Sequence, residues 1–348
     1  MSEIKLTQYS KSSGCGCKIA PEILNQILKQ TRSANTLTNL LVGNKNNDDA
    51  AVIDLGNEQA LISTVDFFTP MVNDAELFGK IAAANAISDV YAMGGKPILA
   101  VAILGWPIDK LSSQMAAEVL KGALQICAEA GIEMAGGHSI ESAEPFFGLS
   151  VNGLVNTKQI KRNCTAKPGD ILYLTKPLGS GILSAALKRD KLESIYEKQL
   201  FDALSKLNKI GEHMAELSYI NAITDITGFG FLGHLLEMME GSSLSAEIDY
   251  RAIQMLDGAK YYSSQLIVPD NLYRNWNNCK DKVLGIGQES FLILNDPQTN
   301  GGLLVAVNPE KSKEFETFLI NHEYEKFITP IGKAITGLPT KIDVLNAV

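Results

Sequence analysis

A turn-rich stretch, Asn163-Cys164-Thr165-Ala166-Lys167-Pro168-Gly169, divides the 348-residue chain into two halves. Proline and glycine punctuate the chain there, between segments with clear hydrophobic periodicity. In the first half, Asp49–Leu55 and Leu61–Val65 are short β-branched runs joined by Gly56-Asn57, which predicts paired strands. Leu77–Met93 is Ala-rich at helical spacing and stops at Gly94-Gly95. Pro97–Trp106 reads as a buried strand, and a helix capped by Ser112 or Ser113 reaches Ala130. Ile132–Ala135, closed by Gly136-Gly137, and Phe147–Val155 read as further strands.

The second half repeats the mixture. Strands are expected at Asp170–Thr175, Ala222–Thr224, Ala246–Tyr250, Ser290–Leu294, Leu303–Val307, Ile328–Ile335 and Lys341–Leu345. Helices are expected up to Lys188, across 197–218 and across Gly230–Gly241. The fold class is therefore α/β (mixed α+β) in two lobes. Residues 1–20 are polar, hold a Gly/Ser/Cys cluster and read as a mobile N-terminal segment.

Charge and apolar spacing exclude several functions. Thirty-one basic against 39 acidic residues leave a net charge of −8, which argues against nucleic-acid binding through general phosphate attraction. No uncharged stretch exceeds 13 residues, whereas a membrane-spanning helix needs about 20. No apolar signal core opens the chain, and five cysteines make an odd, scattered set. A cytoplasmic, reducing address is the expectation.

Two patterns point to chemistry. The first is Gly14-Cys15-Gly16-Cys17-Lys18, two thiols flanking a glycine with a cation next in line. Lys18 favours thiolate, which suits a reactive sulfur. Half of a metal site or an incidental surface thiol fits the spacing equally well. No second cysteine pair completes a zinc site. The second pattern is a set of aspartates beside apolar runs: Asp48-Asp49 after Asn46-Asn47, then Asp66, Asp89 and Asp225. Each alone suits a cap or a turn. Together they suit a hard cation bridging substrate phosphates, because carboxylates beside strand ends are costly unless neutralised. Asn85 and Asp89 share one helix face, and Asp48 and Asp49 point opposite ways if extended. A P-loop is absent. Gly136-Gly137-His138-Ser139 is either a plain turn or a phosphate-facing loop. His234 reads as core or surface.

These residues lie in longer motifs that resemble the selenophosphate synthetase (selenide, water dikinase) family. The resemblance spans nearly the whole chain. It includes LTQYSKSSGCGCKIAPEIL at 6–24, LLVGNKNNDDAAVIDL at 40–55, STVDFFTPMVND at 63–74 and GKIAAANAISDVYAMGGKPILAVAILGWP at 79–107. It continues through AGGHSIESAEPFFGLSVNGLV at 135–155, TDITGFGFLGHL at 224–235 and DPQTNGGLL at 296–304. The later motifs recur more weakly across the wider aminoimidazole ribonucleotide synthetase-like superfamily.

The resemblance implies a homodimer whose N-terminal lobes pair into a barrel-like interface. It implies conversion of ATP, selenide and water to selenophosphate, AMP and phosphate, with Mg2+ as cofactor, and it leaves room for a selenium-delivery protein as a further partner. It makes Cys15 and Lys18 the catalytic pair and Asp49, Asp89 and Asp225 the magnesium ligands. It gives nucleotide contacts to Lys18, Asn46, Asn47, Asp48, Asp66 and Asp89, and a contact across the dimer to Gly137, His138 and Ser139. The implied division is a flap at 1–20, an ATP- and Mg2+-binding and dimerisation domain at 21–160, and an α/β domain at 165–348. Cys17 matches a position the family does not strictly require, and Asn300 stands where Ser is usual. Two other readings remain: an ADP-forming enzyme of the superfamily, and a dimeric redox or metal-binding protein using Cys15 and Cys17.

Overall fold

The computed structural model describes residues 5–10, 14, 18, 24, 27, 37–43 and 47–348. Cys15, Cys17 and Asn46 therefore lie outside the described residues. The first lobe contains β1 (Leu40–Val42), β2 (Ala51–Gly56), β3 (Gln59–Phe68), α1 (Ala75–Ala92), β4 (Lys96–Trp106), α2 (Ser113–Glu129), β5 (Glu133–Glu141) and β6 (Phe146–Asn156). Its sheet runs β1-β2-β3-β6-β4-β5, antiparallel except for the β4–β5 pair.

The second lobe begins with β7 (Ile171–Leu174), α3 (Ser180–Lys188), α4 (Ser194–Ser205), α5 (Ile210–Met214), β8 (Ile220–Asp225) and α6 (Gly230–Ser242). It continues with β9 (Ser245–Asp249), α7 (Ala259–Ser264), α8 (Asn271–Cys279), β10 (Val283–Leu284), α9 (Gln288–Leu294), β11 (Leu303–Val307), α10 (Ser312–Asn321), β12 (Gly332–Ile335) and β13 (Ile342–Leu345). Its sheet runs β10-β13-β9-β12-β7-β11-β8. The mixed α/β class read from sequence is the one observed.

α1 positions most of the site. Asp74 caps it, accepting a hydrogen bond from the Leu77 N–H at 2.6 Å. Apolar and small residues surround the helix on every side, so it is buried all round. One side packs on the inner face of the first sheet, and the far end meets β8 and α5 of the second lobe. β3 supplies the facing wall. Its alternation turns Thr64 and Asp66 towards α1, while Val65 and Phe67 point to the opposite face.

Three expectations need correction. Ser290–Leu294 is helical within α9; the short apolar run suits either state, and the Gly287 N–H bond to Ser290 Oγ at 2.8 Å starts a helix. The helix expected across 197–218 is broken into α4 and α5, and Asn208 between them reaches Ser88 and the Gly301 carbonyl. Gly136-Gly137 does not close a strand, because β5 runs straight through it. At Gly137, with φ of 155°, a Cβ would lie 2.2 Å from the Ala102 carbonyl oxygen, so glycine permits β5 to pass close to β4. The described residues of the N-terminal segment touch both lobes. Leu6 is buried, Thr7 Oγ1 donates to Asn73 Oδ1 at 2.7 Å, and Lys188 Nζ donates to the Ser10 carbonyl at 3.0 Å.

Candidate active site

Four pieces of chain meet where the lobes face each other: the 47–50 segment, the inner face of β3, α1, and the end of β8. On α1, Asn85, Ser88 and Asp89 sit three and four residues apart, so they share one face. All three are buried. Asn85 Nδ2 donates to Asp66 Oδ2 at 2.6 Å, and Thr64 Oγ1 donates to Asp89 Oδ2 at 2.5 Å. Ser88 Oγ crosses to the second lobe and donates to Asp225 Oδ2 at 2.5 Å. Thr224 Oγ1 crosses the other way and donates to Asp49 Oδ1 at 2.7 Å.

The result is an interlocked set. Asp49, Asp89 and Asp225 each accept a bond from a hydroxyl that stands next to, or two residues from, another of the site's acids. Sequence reading missed Thr64, Ser88 and Thr224, because small hydroxyl residues beside an acid carry no spacing signal of their own.

Electrostatics sets these acids apart. Burial pushes the Asp49 and Asp89 carboxyls well above the usual carboxylate range, and the negative charge of Asp225 adds to both shifts. Burial also raises Asp225, against the lowering effect of its bond from Ser88. The Lys18 ammonium opposes the rise at Asp89 and Asp225, and its Nζ lies 3.5 Å from Asp66 Oδ1. Asp49 Oδ2 is buried without a hydrogen-bond partner. Among the described residues no three acidic, histidine or cysteine side chains already form a closed metal cage. The arrangement is instead a set of hard oxygen donors at electrostatic range, one of them unsatisfied. That donor set fits Mg2+, which commonly takes one or two carboxylates together with substrate phosphates.

Asp48 takes a different role from its neighbour. Its Oδ1 accepts from the Asn163 N–H at 2.8 Å, which ties the 47–50 segment to the start of the inter-lobe stretch. Burial raises its pKa, opposed by that bond and by Arg162. Asn47 adopts a left-handed φ of 52°, and its carbonyl accepts from Asn163 Nδ2 at 2.9 Å. Gly137, His138 and Ser139 lie elsewhere in the chain, on the exposed edge strand β5. Three strand spacings separate β5 from β3, about 14 Å. A single chain does not bring them to the acids.

The 296–302 loop closes the second-lobe side. The Asn300 N–H donates to Asn85 Oδ1 at 2.7 Å, so the loop braces the residue that holds Asp66. Behind it, the buried Lys176 ammonium donates to the carbonyls of Lys206 at 2.7 Å and Asn300 at 2.8 Å. Burial lowers its pKa well below the ordinary lysine value. His234 is also buried; its Nε2 meets Thr227 Oγ1 at 3.2 Å and its Nδ1 meets Glu237 Oε2 at 3.3 Å.

Comparison with known proteins bears on the fold and the family. Residues 47–155 match the AIR synthase related protein N-terminal domain, and residues 167–343 match the corresponding C-terminal domain. The selenide, water dikinase of Aeromonas hydrophila is 52% identical over 333 residues, covering 96% of each chain. That of Colwellia psychrerythraea is 49% identical over 346 residues, covering 99% of this chain and 100% of the relative. Among solved structures, thiamine monophosphate kinase from Aquifex aeolicus superposes with a TM-score of 0.66 at 18% identity, covering 94% and 97% of the two chains. Hydrogenase maturation protein HypE in complex with ATP superposes with a TM-score of 0.65 at 16% identity, covering 98% and 95%. The structural likenesses speak for the fold, and the near-full-length identity settles the family. The chain belongs to the selenide, water dikinase family.

Proposed function

We propose that this site transfers the γ-phosphoryl group of ATP to selenide and hydrolyses the remaining ADP, giving selenophosphate, AMP and orthophosphate. The observation that carries the reading is the set of buried, mutually repelling carboxylates of Asp49, Asp89 and Asp225, contributed by both lobes. Such a set is costly unless cations compensate it. Asp49, Asp89 and Asp225 would hold Mg2+, which supplies charge neutralisation for the triphosphate.

The chain's own groups supply positioning. Hydrogen selenide is already a soft, ionised nucleophile near neutral pH, so no strong base is needed for the first transfer. Lys18, beside Asp66, would meet the γ-phosphate. Cys15 would hold or deliver selenium at phosphorus and keep water out of the first step. Asp66 and Asp89 would meet the nucleotide. Asn46, Asn47 and Asp48 would also contact the nucleotide, the two asparagines through backbone groups more than side chains.

The same reading gives the chain a flap at 1–20, a nucleotide-binding and dimerising domain at 21–160 and a second domain at 165–348. It also makes the protein a homodimer. The outer face of the first sheet carries Val65, Phe67, Leu99 and Ile140, each at least 38% exposed. An apolar sheet face of this kind marks an interaction surface. His138 pairs in register with Ile103, and Ile103 shares its row with Phe67 through Gly148. His138 thus sits on the face that pairing would bring to the partner's nucleotide. A selenium-delivery protein and a cytoplasmic address belong to the same reading. No helix among the described residues is long and apolar enough to cross a membrane.

Cys15→Ser tests the sulfur's role. The variant should bind ATP and lose selenide-dependent AMP formation. Full turnover in that variant would remove Cys15 from the mechanism.

A further inference from the structure

The described residues of the N-terminal segment touch the two lobes alternately. Lys5 pairs with Asp190 just past α3 at 2.5 Å, and Thr7 bonds Asn73 of the first lobe. The Ser10 carbonyl returns to Lys188 of α3, and the Gly14 N–H donates to the Thr69 carbonyl at 3.0 Å. Gly14 is buried and holds a left-handed φ of 52°. A Cβ at this position would lie 2.6 Å from Thr299 Oγ1 and 2.9 Å from Met71 Sδ. Met71 and Thr299 are themselves buried, at 2% and 4% exposure. One comes from the first lobe and the other from the 296–302 loop of the second.

We propose that Thr299 and Met71 form an inter-lobe seat that admits only glycine at position 14, and that Thr299 is thereby a positioning residue for the thiol segment that follows. Cys15 is the next residue in the chain, one Cα–Cα step of about 3.8 Å from Gly14. The seat fixes Gly14, the residue to which Cys15 is joined. Because Thr299 and Asn300 are consecutive, the loop that seats Gly14 also braces Asn85 and, through it, Asp66. The residue that precedes Cys15 and the residue that holds Asp66 are therefore set by one loop. This inference rests on the assignment of Cys15 as the reacting thiol for its kinetic consequence, but not for its geometry.

The test uses Gly14→Ala, Thr299→Ala and the double variant in the full-length protein. Three quantities are read: the iodoacetamide alkylation rate of Cys15 by peptide mass spectrometry with Mg2+ and a non-hydrolysable ATP analogue bound, and kcat and KM for selenide-dependent AMP formation. Gly14→Ala should raise Cys15 alkylation severalfold and lower kcat on the order of tenfold to a hundredfold, with KM for ATP held. Removing the Thr299 hydroxyl in the double variant should restore part of both, because the added methyl then has room. Additive losses in the double variant, or unchanged Cys15 alkylation in Gly14→Ala, would overturn the seat. Should Gly14→Ala fail to fold, Thr299→Ala alone decides: it should raise Cys15 alkylation, and an unchanged rate refutes the proposal. If Cys15→Ser keeps full turnover, the kinetic reading falls with that assignment, while the alkylation rates still decide the seat.

Discussion

Ser88 and Asp225 join the lobes through a single 2.5 Å bond from the Ser88 hydroxyl to the Asp225 carboxylate. Asn208 Nδ2 donates to the same Ser88 oxygen at 2.8 Å, so the hydroxyl proton is directed at Asp225. Ser88→Ala would leave a buried carboxylate short of a donor. The expected loss is about 1–2 kcal/mol of stability, with a higher Mg2+ requirement for turnover. Denaturant unfolding and a Mg2+ titration of AMP formation check it. An unchanged titration would mean that the bond does not hold Asp225 in its working position.

Asp296 should impose a pH dependence of its own. It is fully buried, and burial raises its pKa from 3.8 to about 7 against the bonds it accepts from Gln298 and Gly181. A carboxyl raised in the folded state binds its proton more tightly there than in the unfolded chain, so stability falls as pH rises from 3.8 towards 7. Asp296→Asn removes that decline. Its stability advantage over the wild type should grow across this window and level off above it, reaching at most roughly 4 kcal/mol. Unfolding free energies at a series of pH values decide; a constant difference would contradict the assignment.

Asn300 invites the reverse experiment, replacement by the smaller serine usual in the resembling motif. Its side-chain amide donates to the carbonyls of Leu204 at 2.7 Å and Lys206 at 2.9 Å, and its φ of 48° suits asparagine. Its contact with Asn85 uses the backbone N–H. Asn300→Ser should therefore cost about 1–2 kcal/mol in stability and leave kcat nearly unchanged. A large fall in kcat with normal stability would show that the side chain acts in the reaction.

Subunit pairing is tested on the outer sheet face. Phe67 is 50% exposed and packs on Phe146. Phe67→Asp should shift the sedimentation profile from dimer to monomer and weaken ATP binding, since His138 would lose the neighbouring nucleotide. A variant that stays dimeric would place the interface elsewhere.

Much of this site was legible from residue order, for identifiable reasons. Their places beside apolar runs marked Asp49, Asp66, Asp89 and Asp225 as one candidate set. Helical spacing put Asn85 and Asp89 together on α1. What stayed hidden depended on contacts between distant segments. Thr64, Ser88 and Thr224 look like ordinary small polar residues until the lobes meet. The break after α4 exists because Asn208 is drawn to Ser88 and Gly301, and no local signal marks it. Gly136-Gly137 resembled a turn because glycine signals both turns and close strand approach, and only the pairing with Ala102 distinguishes them.

Phosphoryl transfer to selenium at carboxylates gathered from both lobes would leave its own signature in the products. Phosphorus NMR of the purified protein with Mg2+, ATP and anaerobic selenide measures this directly. The expected result is a phosphorus resonance coupled to selenium, together with AMP and orthophosphate in equal amounts. Accumulation of ADP with no phosphorus–selenium signal would contradict it.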